Sequence, residues 1–450
     1  MMPYKNRLVS IENYEDLLSK FGLLKDQTVK GVRGLSNPTK VPEVLEKGLL
    51  RSRHKVFVYK DGTVRFDITN ATLTHFKPSE IRTSIEKLKE LGYDKEYRGK
   101  DLTDPNQLVE LKVQDVIVPE ACGRYLYRVS KYTDELLTKV YQMEPYYNLR
   151  THDDLVGHLV IGLAPHTSAG IAGRIIGFTK ASVCYAHPFW HAAKRRNCDG
   201  DEDAVMLALE ALIDFSKAYL PEKIGGLMDA PLVMTTIIDP SEVDDECHNM
   251  ETVELLPLKF YALGEDYKEP KEALKVIQIM KNRLGKPEQY TNFSFVIFTQ
   301  GIDRGPLTTA YDKLKTMMDK VKKQLQLANK IRAVNSKDVA ERLLKHHFIP
   351  DLAGNMRAFS TQTFRCTKCG SKYRRVPLKG VCTKCNGNLI LTVHEGNINK
   401  YLEAAFALSK EYELGAFIDQ QISLIEKGLR TLIPAKKKKN MELGQFIESK

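Results

Sequence analysis

The sequence predicts an α+β protein of several domains, and three observations lead to this prediction. Short apolar runs typical of strands dominate the first half of the chain, whereas helical, Lys-rich periodicity dominates the second half. Two cysteine pairs near the C-terminal end have the spacing of a metal-binding module. At 450 residues, the chain is long enough for two to four domains with a sizeable core.

The first part of the chain reads as a connector region with a hairpin. A helical pattern runs from Ile11 to Phe21, and alternating apolar residues on both sides of Lys60-Asp61-Gly62 predict a β-hairpin. Ser79 is expected to cap a helix that continues to about Leu91, with Gly92 as its stop.

The middle of the chain reads as a strand-rich core. Leu111 to Val118 predicts a strand, Asp134 to Met143 a helix, and Leu232 to Ile238 a returning strand. The stretch from Gly157 to Gly177 is rich in small and apolar residues but lacks the ending of a P-loop. Its small residues predict either close packing or a close approach of the backbone to substrate.

The inference of function depends most on one acidic stretch of seven residues. It reads Asn197-Cys198-Asp199-Gly200-Asp201-Glu202-Asp203 and precedes an apolar helical pattern from Ala204 to about Phe215. In an extended loop, alternate side chains point to one side. The residues at these alternate positions are Asn197, Asp199, Asp201 and Asp203. Converging carboxylates repel one another unless a cation lies among them, and carboxylates with waters are the ligand set of Mg²⁺. The preceding Lys194, Arg195 and Arg196 suit a phosphate-bearing ligand.

Two other interpretations of this stretch remain open at this point. It could be an acidic surface loop that caps the following helix, with Asp201 or Asp203 at the N-cap. An EF-hand calcium loop fits poorly, because Gly200 stands directly between two Asp residues and no Glu follows at the required distance.

The run from His152 to Asp203 closely resembles the catalytic region of the large subunit of archaeal D-family DNA polymerase. It reads HDDLVGHLVIGLAPHTSAG from His152 and HPFWHAAKRRNCDGDED from His187. That family belongs to the two-barrel polymerases, so the resemblance implies a double-psi β-barrel catalytic core. It also implies that Asp199 and Asp201 bind catalytic Mg²⁺, with Asn197 beside them. Multisubunit RNA polymerases carry Asn and Asp residues at the same alternating spacing in the corresponding loop, and Asp203 fits that spacing.

The resemblance covers the chain from about Val29 onward and implies a replicative DNA polymerase that joins dNTPs to a primer 3′-hydroxyl. The family's large subunit is longer, so this chain looks like its C-terminal part. The implied partners are a DNA primer–template, the N-terminal part of the large subunit, and a small subunit with 3′–5′ proofreading nuclease activity. The alternatives are a non-catalytic DNA-binding or assembly module and a two-metal nuclease.

Five histidines and the single tryptophan surround this region. The spacings of the histidines fit no helical pair of zinc ligands, so structural or phosphate-contacting roles are favoured over metal binding. These residues are His152, His158, His166, His187 and His191. Trp190 is expected to be a packing anchor rather than a platform for stacking bases.

Composition narrows the class of partner and the compartment. The formal net charge of +11 favours a polyanionic partner. The sequence contains no apolar run of about 18 residues and no apolar segment of signal-peptide type at its start, so neither a membrane span nor a signal peptide is predicted. The cysteine usage is typical of a reduced compartment, and we expect a cytoplasmic, nucleoid-associated protein.

The strongest local signal is a pair of C-x₂-C knuckles separated by twelve residues. Such knuckles bring four thiolates within tetrahedral reach of one structural zinc ion. The four predicted ligands are Cys366, Cys369, Cys382 and Cys385. The basic residues around them favour DNA contact or subunit docking.

Helical patterns surround this four-cysteine zinc ribbon. Lys271 to Leu284, Thr308 to Ile331 and Ser336 to about His347 predict basic helices that could follow a nucleic-acid backbone or simply face solvent. Asn399 to Leu432 predicts a helix pair.

The last residues predict a disordered tail. Its end resembles the motif by which replication proteins bind a sliding clamp, with Leu443, Phe446 and Ile447 as the apolar plug. The alternative is a frayed terminus with apolar residues by chance.

The sequence therefore divides into six predicted regions. They are a connector with a hairpin (1–110), the catalytic barrel (111–240), a basic helical accessory region (241–358), the zinc module (359–395), a helical C-terminal region (396–433) and a flexible tail (434–450).

Overall fold

The structure, a computed structural model, describes residues 11–23, 29–32, 43–220, 224–297, 301–305, 307–308, 313–391 and 401–432. The chain separates into two compact units, Met1–Thr308 and Thr309–Lys450. A large mixed sheet lies in the first unit, and helices with a small three-stranded sheet make up the second. The predicted α+β class is confirmed. Across the described ranges, no helix combines the length and apolar character that a bilayer span requires.

The first unit is organised around a β-barrel. The strands of this unit are β1 (Phe66–Thr72), β2 (His75–Phe76), β3 (Val109–Glu110), β4 (Asp115–Pro119), β5 (Leu159–Leu163), β6 (Ala169–Thr179), β7 (Val183–Ala186), β8 (Glu202–Leu207) and β9 (Val233–Thr235). Strands β2 and β3 form a separate two-stranded sheet, and β9 extends the barrel sheet beyond β6. Neighbours pair in the order β4–β7–β1–β8–β5–β6, and β6 also pairs with β4, so six strands form a closed ring. The pairs β1–β7 and β4–β6 are parallel, and the other pairs of the ring are antiparallel.

The glycine-rich stretch allows close packing inside this barrel. Trp190 is fully buried, and its indole N–H donates to the carbonyl oxygen of Ala172 on β6 (3.1 Å). A Cβ atom at Gly162 would lie 2.5 Å from the Trp190 ring, and one at Gly173 would lie 3.0 Å from the indole nitrogen. Only residues without a side chain admit the indole this closely. The prediction of Trp190 as a packing anchor is confirmed.

Ten α-helices are described in the first unit. They are α1 (Ile11–Lys20), α2 (Leu45–Arg53), α3 (Pro78–Ile81), α4 (Ile85–Glu90), α5 (Glu120–Leu136), α6 (Pro188–Ala193), α7 (Ala208–Asp214), α8 (Ile224–Leu227), α9 (Leu258–Glu265) and α10 (Pro270–Ala273). The β-hairpin predicted around Lys60-Asp61-Gly62 is reduced to a tight turn, closed by one antiparallel bridge between Val58 and Val64, with Gly62 at φ +97°. The following strand β1 pairs with β7 and β8 instead.

The helical pattern predicted from Ala204 to about Phe215 was wrong in its first part. Its first four residues belong to strand β8, which pairs with β1 and β5, and only α7 is helical. Pairing with distant strands overrides the local pattern.

Two further helix predictions of the first unit were wrong. The cap of α4 is Ser84, whose Oγ accepts the Lys87 N–H (3.2 Å), whereas Ser79 lies inside the one-turn helix α3. Lys271 to Leu284 is not one helix, because part of it pairs as extended chain. Ile279 bridges Glu251, and the Met280 N–H donates to the Met250 carbonyl. Long-range pairing here overrides the local helical pattern.

The described helices of the second unit pack into their own core. They are α11 (Met317–Lys330), α12 (Ser336–Leu343), α13 (Ile349–Thr361), α14 (Leu402–Glu411) and α15 (Ala416–Leu432). The last two confirm the predicted helix pair, and their apolar faces join those of α11 to α13 in one cluster. The predicted start of a helix at Ser336 is confirmed by α12, and the Asn335 side chain caps it by accepting the backbone N–H groups of Lys337 and Asp338. The predicted tail motif lies outside the described residues.

The close contact between Gly162 and Trp190 predicts a large effect of a single methyl group. Gly162→Ala would force the indole or the strand to move, and overpacking of this kind costs about 1–3 kcal/mol. Urea unfolding monitored by circular dichroism should show a lower midpoint for this variant. Gly264→Ala in α9, where nothing lies within 4 Å of the added atom, is the matched control. Equal midpoints for the two variants would contradict the packing role of Gly162.

Candidate catalytic loop and metal centre

The acidic loop leaves the end of α6 and enters the barrel at β8. Residues 194–201 form this connection, and β8 pairs with β1 from Glu202 onward. Gly200 has φ +110°, a backbone conformation that side chains with a Cβ rarely adopt. The loop is therefore bent at Gly200 rather than extended throughout.

The loop is fastened to β1 through Asn70, which is 1% exposed. The Asn70 backbone N–H donates to the Asp201 carbonyl (2.9 Å), and its side-chain amide donates to the Asn197 carbonyl (2.7 Å). Asn70 Oδ1 accepts the backbone N–H groups of Gly200 (2.9 Å) and Asp201 (3.0 Å). Asn70 was not identified from the sequence. An amide residue within an apolar strand pattern is disfavoured, and that signal could have pointed to it.

The outer residues of the loop face solvent. Asn197 and Asp199 are exposed, and the Asp201 side chain is 35% exposed. The Arg196 Nε lies 3.0 Å from Asp201 Oδ2, so a guanidinium already balances one of the two carboxylates predicted to bind metal. Arg195 is exposed, with φ +60°. Asp199, Asp201, Arg195 and Arg196 therefore all lie on the solvent-accessible part of the loop, and the pair Arg196–Asp201 is in contact.

Asp203 points the other way. It is fully buried and pairs with the equally buried Lys194, and His191 Nδ1 lies 3.7 Å from its Oδ2. Burial raises the pKa of Asp203, but the Lys194 ammonium outweighs burial and holds that pKa below its ordinary value. The expectation that all four alternate side chains share one side does not describe this bent loop.

Lys194 differs from the two arginines that follow it. Its Nζ lies 3.3 Å from His191 Nδ1 and 3.4 Å from the centre of the Trp190 ring, away from solvent. A buried ammonium in this position balances Asp203 and is not presented to an external phosphate. Of the three basic residues predicted to contact phosphate, Arg195 and Arg196 are the two at the surface.

The nearby histidines are not assembled into a metal centre in the described part of the chain. Burial lowers the pKa of His187 to about 3, so its ring is neutral. His191 Nε2 lies 3.0 Å from the Ala71 carbonyl oxygen on β1, and burial also lowers the pKa of this ring. These contacts agree with the favoured structural role for His187 and His191.

The four predicted zinc ligands converge in the second unit. Their sulfur atoms all lie within 4.8 Å of one another, as one tetrahedral metal ion requires. Among the described residues this is the one group of three or more His, Cys, Asp or Glu side chains arranged so closely. A small antiparallel sheet accompanies the knuckles, in which β10 (Phe364–Cys366) pairs with both β11 (Lys372–Tyr373) and β12 (Leu389–Ile390). The donor set therefore fits a structural metal such as zinc.

Comparison with known proteins places this chain in the class of DNA polymerase subunits. The chain belongs to the family described as DNA polymerase II large subunit DP2, catalytic domain, whose model matches residues 22–320. This family agrees with the resemblance noted in the sequence.

Relatives named DNA polymerase II large subunit match almost the whole chain. The one from Archaeoglobus fulgidus is 50% identical over 446 residues, which are 99% of this chain and 39% of the relative. Those from Methanothermobacter thermautotrophicus and Pyrococcus furiosus are 51% and 54% identical, over 93% and 90% of this chain and 38% and 32% of their own lengths. The chain thus spans about two fifths or less of the relatives that it matches.

The buried pair of Lys194 and Asp203 predicts a measurable coupling. Removal of one partner of a buried ion pair leaves an uncompensated charge and costs about 3–5 kcal/mol. Lys194→Met should therefore destabilise the first unit strongly in urea unfolding. The double variant Lys194→Met/Asp203→Leu should recover most of the loss, because no charge remains buried. A double variant as unstable as the sum of the two single variants would contradict this coupling.

The cysteine cluster predicts one zinc ion per chain. Mass-spectrometric metal analysis of the purified protein should find it, and Cys366→Ser/Cys382→Ser should abolish it, because zinc sites of this kind require thiolate ligands. Cys247→Ala, which alters a buried cysteine outside the cluster, should leave the zinc content unchanged. Absence of zinc from the unaltered protein would disprove this assignment.

Proposed function

We propose that this chain is the catalytic part of a replicative DNA polymerase and carries out Mg²⁺-dependent, template-directed transfer of nucleotides from dNTPs to a primer 3′-hydroxyl. The observation that carries the proposal is the loop of residues 194–201. It exposes Asp199 and Asp201 beside a closed six-stranded barrel, inside the region matched by the DP2 catalytic-domain family. The six-stranded, mixed arrangement is compatible with the proposed double-psi topology.

The residues at the loop fit Mg²⁺ by their chemistry. Asp199 and Asp201 offer carboxylate oxygens at the protein surface, and the exposure of Asp199 leaves room for waters and substrate oxygens. Arg196 neutralises Asp201 in this structure, so occupation by metal would replace one positive partner of that carboxylate by another. When bound, Mg²⁺ would lower the pKa of the primer hydroxyl and stabilise negative charge that develops on the α-phosphate.

The chain's own residues would take separate tasks. Asp199 and Asp201 would hold the metal, and Asn197 would orient a carboxylate or a sugar hydroxyl beside them. Arg195, and Arg196 once released from Asp201, would contact phosphate oxygens. Asp203, on β8 just after the loop, would anchor the loop rather than bind metal, because Lys194 already satisfies its charge.

The proposed assembly extends beyond this chain. The remaining part of the large subunit would complete the active site, and a small subunit would supply proofreading 3′–5′ exonuclease activity. The four-cysteine module would hold zinc as a structural ion, and its exposed basic residues suit contact with DNA or a subunit. Leu443, Phe446 and Ile447 would bind a sliding clamp.

The proposal is tested by primer extension with this chain assembled with the remainder of the large subunit and the small subunit. Asp199→Asn and Asp201→Asn should each lower the rate at least ~10²-fold, because each removes a charged ligand of the proposed metal. Asp245→Asn, which alters an exposed carboxylate outside the loop, is the matched control and should retain the full rate. Zinc content and assembly should be the same in all variants.

Two results would replace the proposal by its rivals. If both loop variants extend primers at the control rate, this part of the chain serves in DNA binding or assembly and the catalytic metal lies elsewhere. The second result concerns an assembly with the wild-type loop and an inactivated proofreading subunit. If that assembly degrades DNA without any dependence on dNTPs, the loop belongs to a nuclease.

A further inference from the structure

We propose that Asn70 is a positioning residue that holds the backbone of residues 197–201 in the form in which Asp199 and Asp201 can share one divalent cation. This inference deepens the proposed function and rests on it. Asn70 lies on β1, 127 residues before the first loop residue that it contacts, and touches none of the proposed reacting atoms.

The side chain of Asn70 is matched to the backbone of the loop. Its oxygen accepts two N–H groups, from Gly200 and Asp201, and its nitrogen donates to the Asn197 carbonyl. A carboxamide can accept and donate in this way, whereas a carboxylate can only accept and an aliphatic side chain can do neither. The three contacts also fix which end of the amide faces which partner.

Burial makes these contacts strong determinants of the loop's shape. Asn70 is 1% exposed, so water cannot easily replace its amide when a partner is lost. Gly200, with φ +110° and no side chain, lies between the two proposed ligands and adds conformational freedom to the backbone there. Asn70 therefore restricts a segment that would otherwise sample many conformations.

The two proposed ligands lie on either side of this fixed point. Asp199 directly precedes Gly200, and Asp201 is itself hydrogen-bonded through its backbone N–H and C=O to Asn70. A shift of these backbone groups would move both carboxylates relative to each other. Groups that orient metal ligands typically contribute about 10- to 100-fold to metal affinity, and we expect Asn70 to act within this range.

The test measures Mn²⁺ binding by electron paramagnetic resonance with this chain assembled with the remainder of the large subunit. Asn70→Ala should weaken Mn²⁺ binding at the loop about 10-fold or more. Amide hydrogen exchange should show faster exchange at Gly200 and Asp201, where the accepting oxygen has been removed. Thr83→Val is the matched control, because it removes a different buried side-chain hydrogen bond to the barrel, from Thr83 Oγ1 to the Ile176 carbonyl (2.6 Å).

A second variant separates local geometry from loss of fold. Asn70→Asp keeps an oxygen in place for the Gly200 and Asp201 N–H groups but cannot donate to Asn197. These two amides should remain protected from exchange in Asn70→Asp, and their loss of protection would overturn the inference. Wild-type Mn²⁺ affinity and exchange in Asn70→Ala would overturn it as well.

The double variant Asp199→Asn/Asp201→Asn distinguishes this inference from the proposed function. If the double variant loses Mn²⁺ binding but Asn70→Ala does not, the loop binds metal and Asn70 does not position it. If the double variant binds Mn²⁺ as the unaltered chain does, the proposed function fails, and the inference about Asn70 fails with it.

Discussion

The buried ion pair between Lys194 and Asp203 is the interaction on which the candidate site depends. Lys194 directly follows helix α6, and Asp203 is the second residue of strand β8, so the pair joins the two ends of the acidic loop inside the barrel. The exposed part of the loop spans only the residues between them. Because both charges are fully buried, neither is available to solvent, and the loop's outward chemistry is left to Asp199, Asp201 and the two arginines.

The barrel explains why such a pair can be buried. Trp190 fills the space against Gly162 and Gly173, and its ring packs beneath the Lys194 ammonium. His191, from the same short helix, reaches the Ala71 carbonyl on β1, next to Asn70. Residues of α6 and β1 thus support the loop from below while its upper face stays open. A rigid support beneath a polar surface is the arrangement that precise ligand geometry requires.

Local sequence patterns predicted those features that depend on neighbouring residues. The cysteine spacing was enough to predict the metal cluster, because each knuckle is formed within four residues. Asp61-Gly62 was likewise enough to predict the turn in which it lies. The orientation of Asp203 and the role of Asn70 depend on the pairing of β1 with β8, which joins positions more than 130 residues apart. No periodicity within the loop contains that information. The same limit explains the wrong helix at Lys271 to Leu284, where pairing with Met250 and Glu251 decides the backbone.

The central claim is that Asp199 and Asp201 together hold the divalent cation at the reacting centre. Its most direct test is an anomalous-scattering map from crystals of the assembled polymerase with primer–template, a non-hydrolysable dNTP analogue and Mn²⁺. We expect a manganese peak within about 2.0–2.3 Å of a carboxylate oxygen from each residue, close to the distances typical of small divalent cations. A manganese peak at the nucleotide with both carboxylates turned away from it would contradict the account.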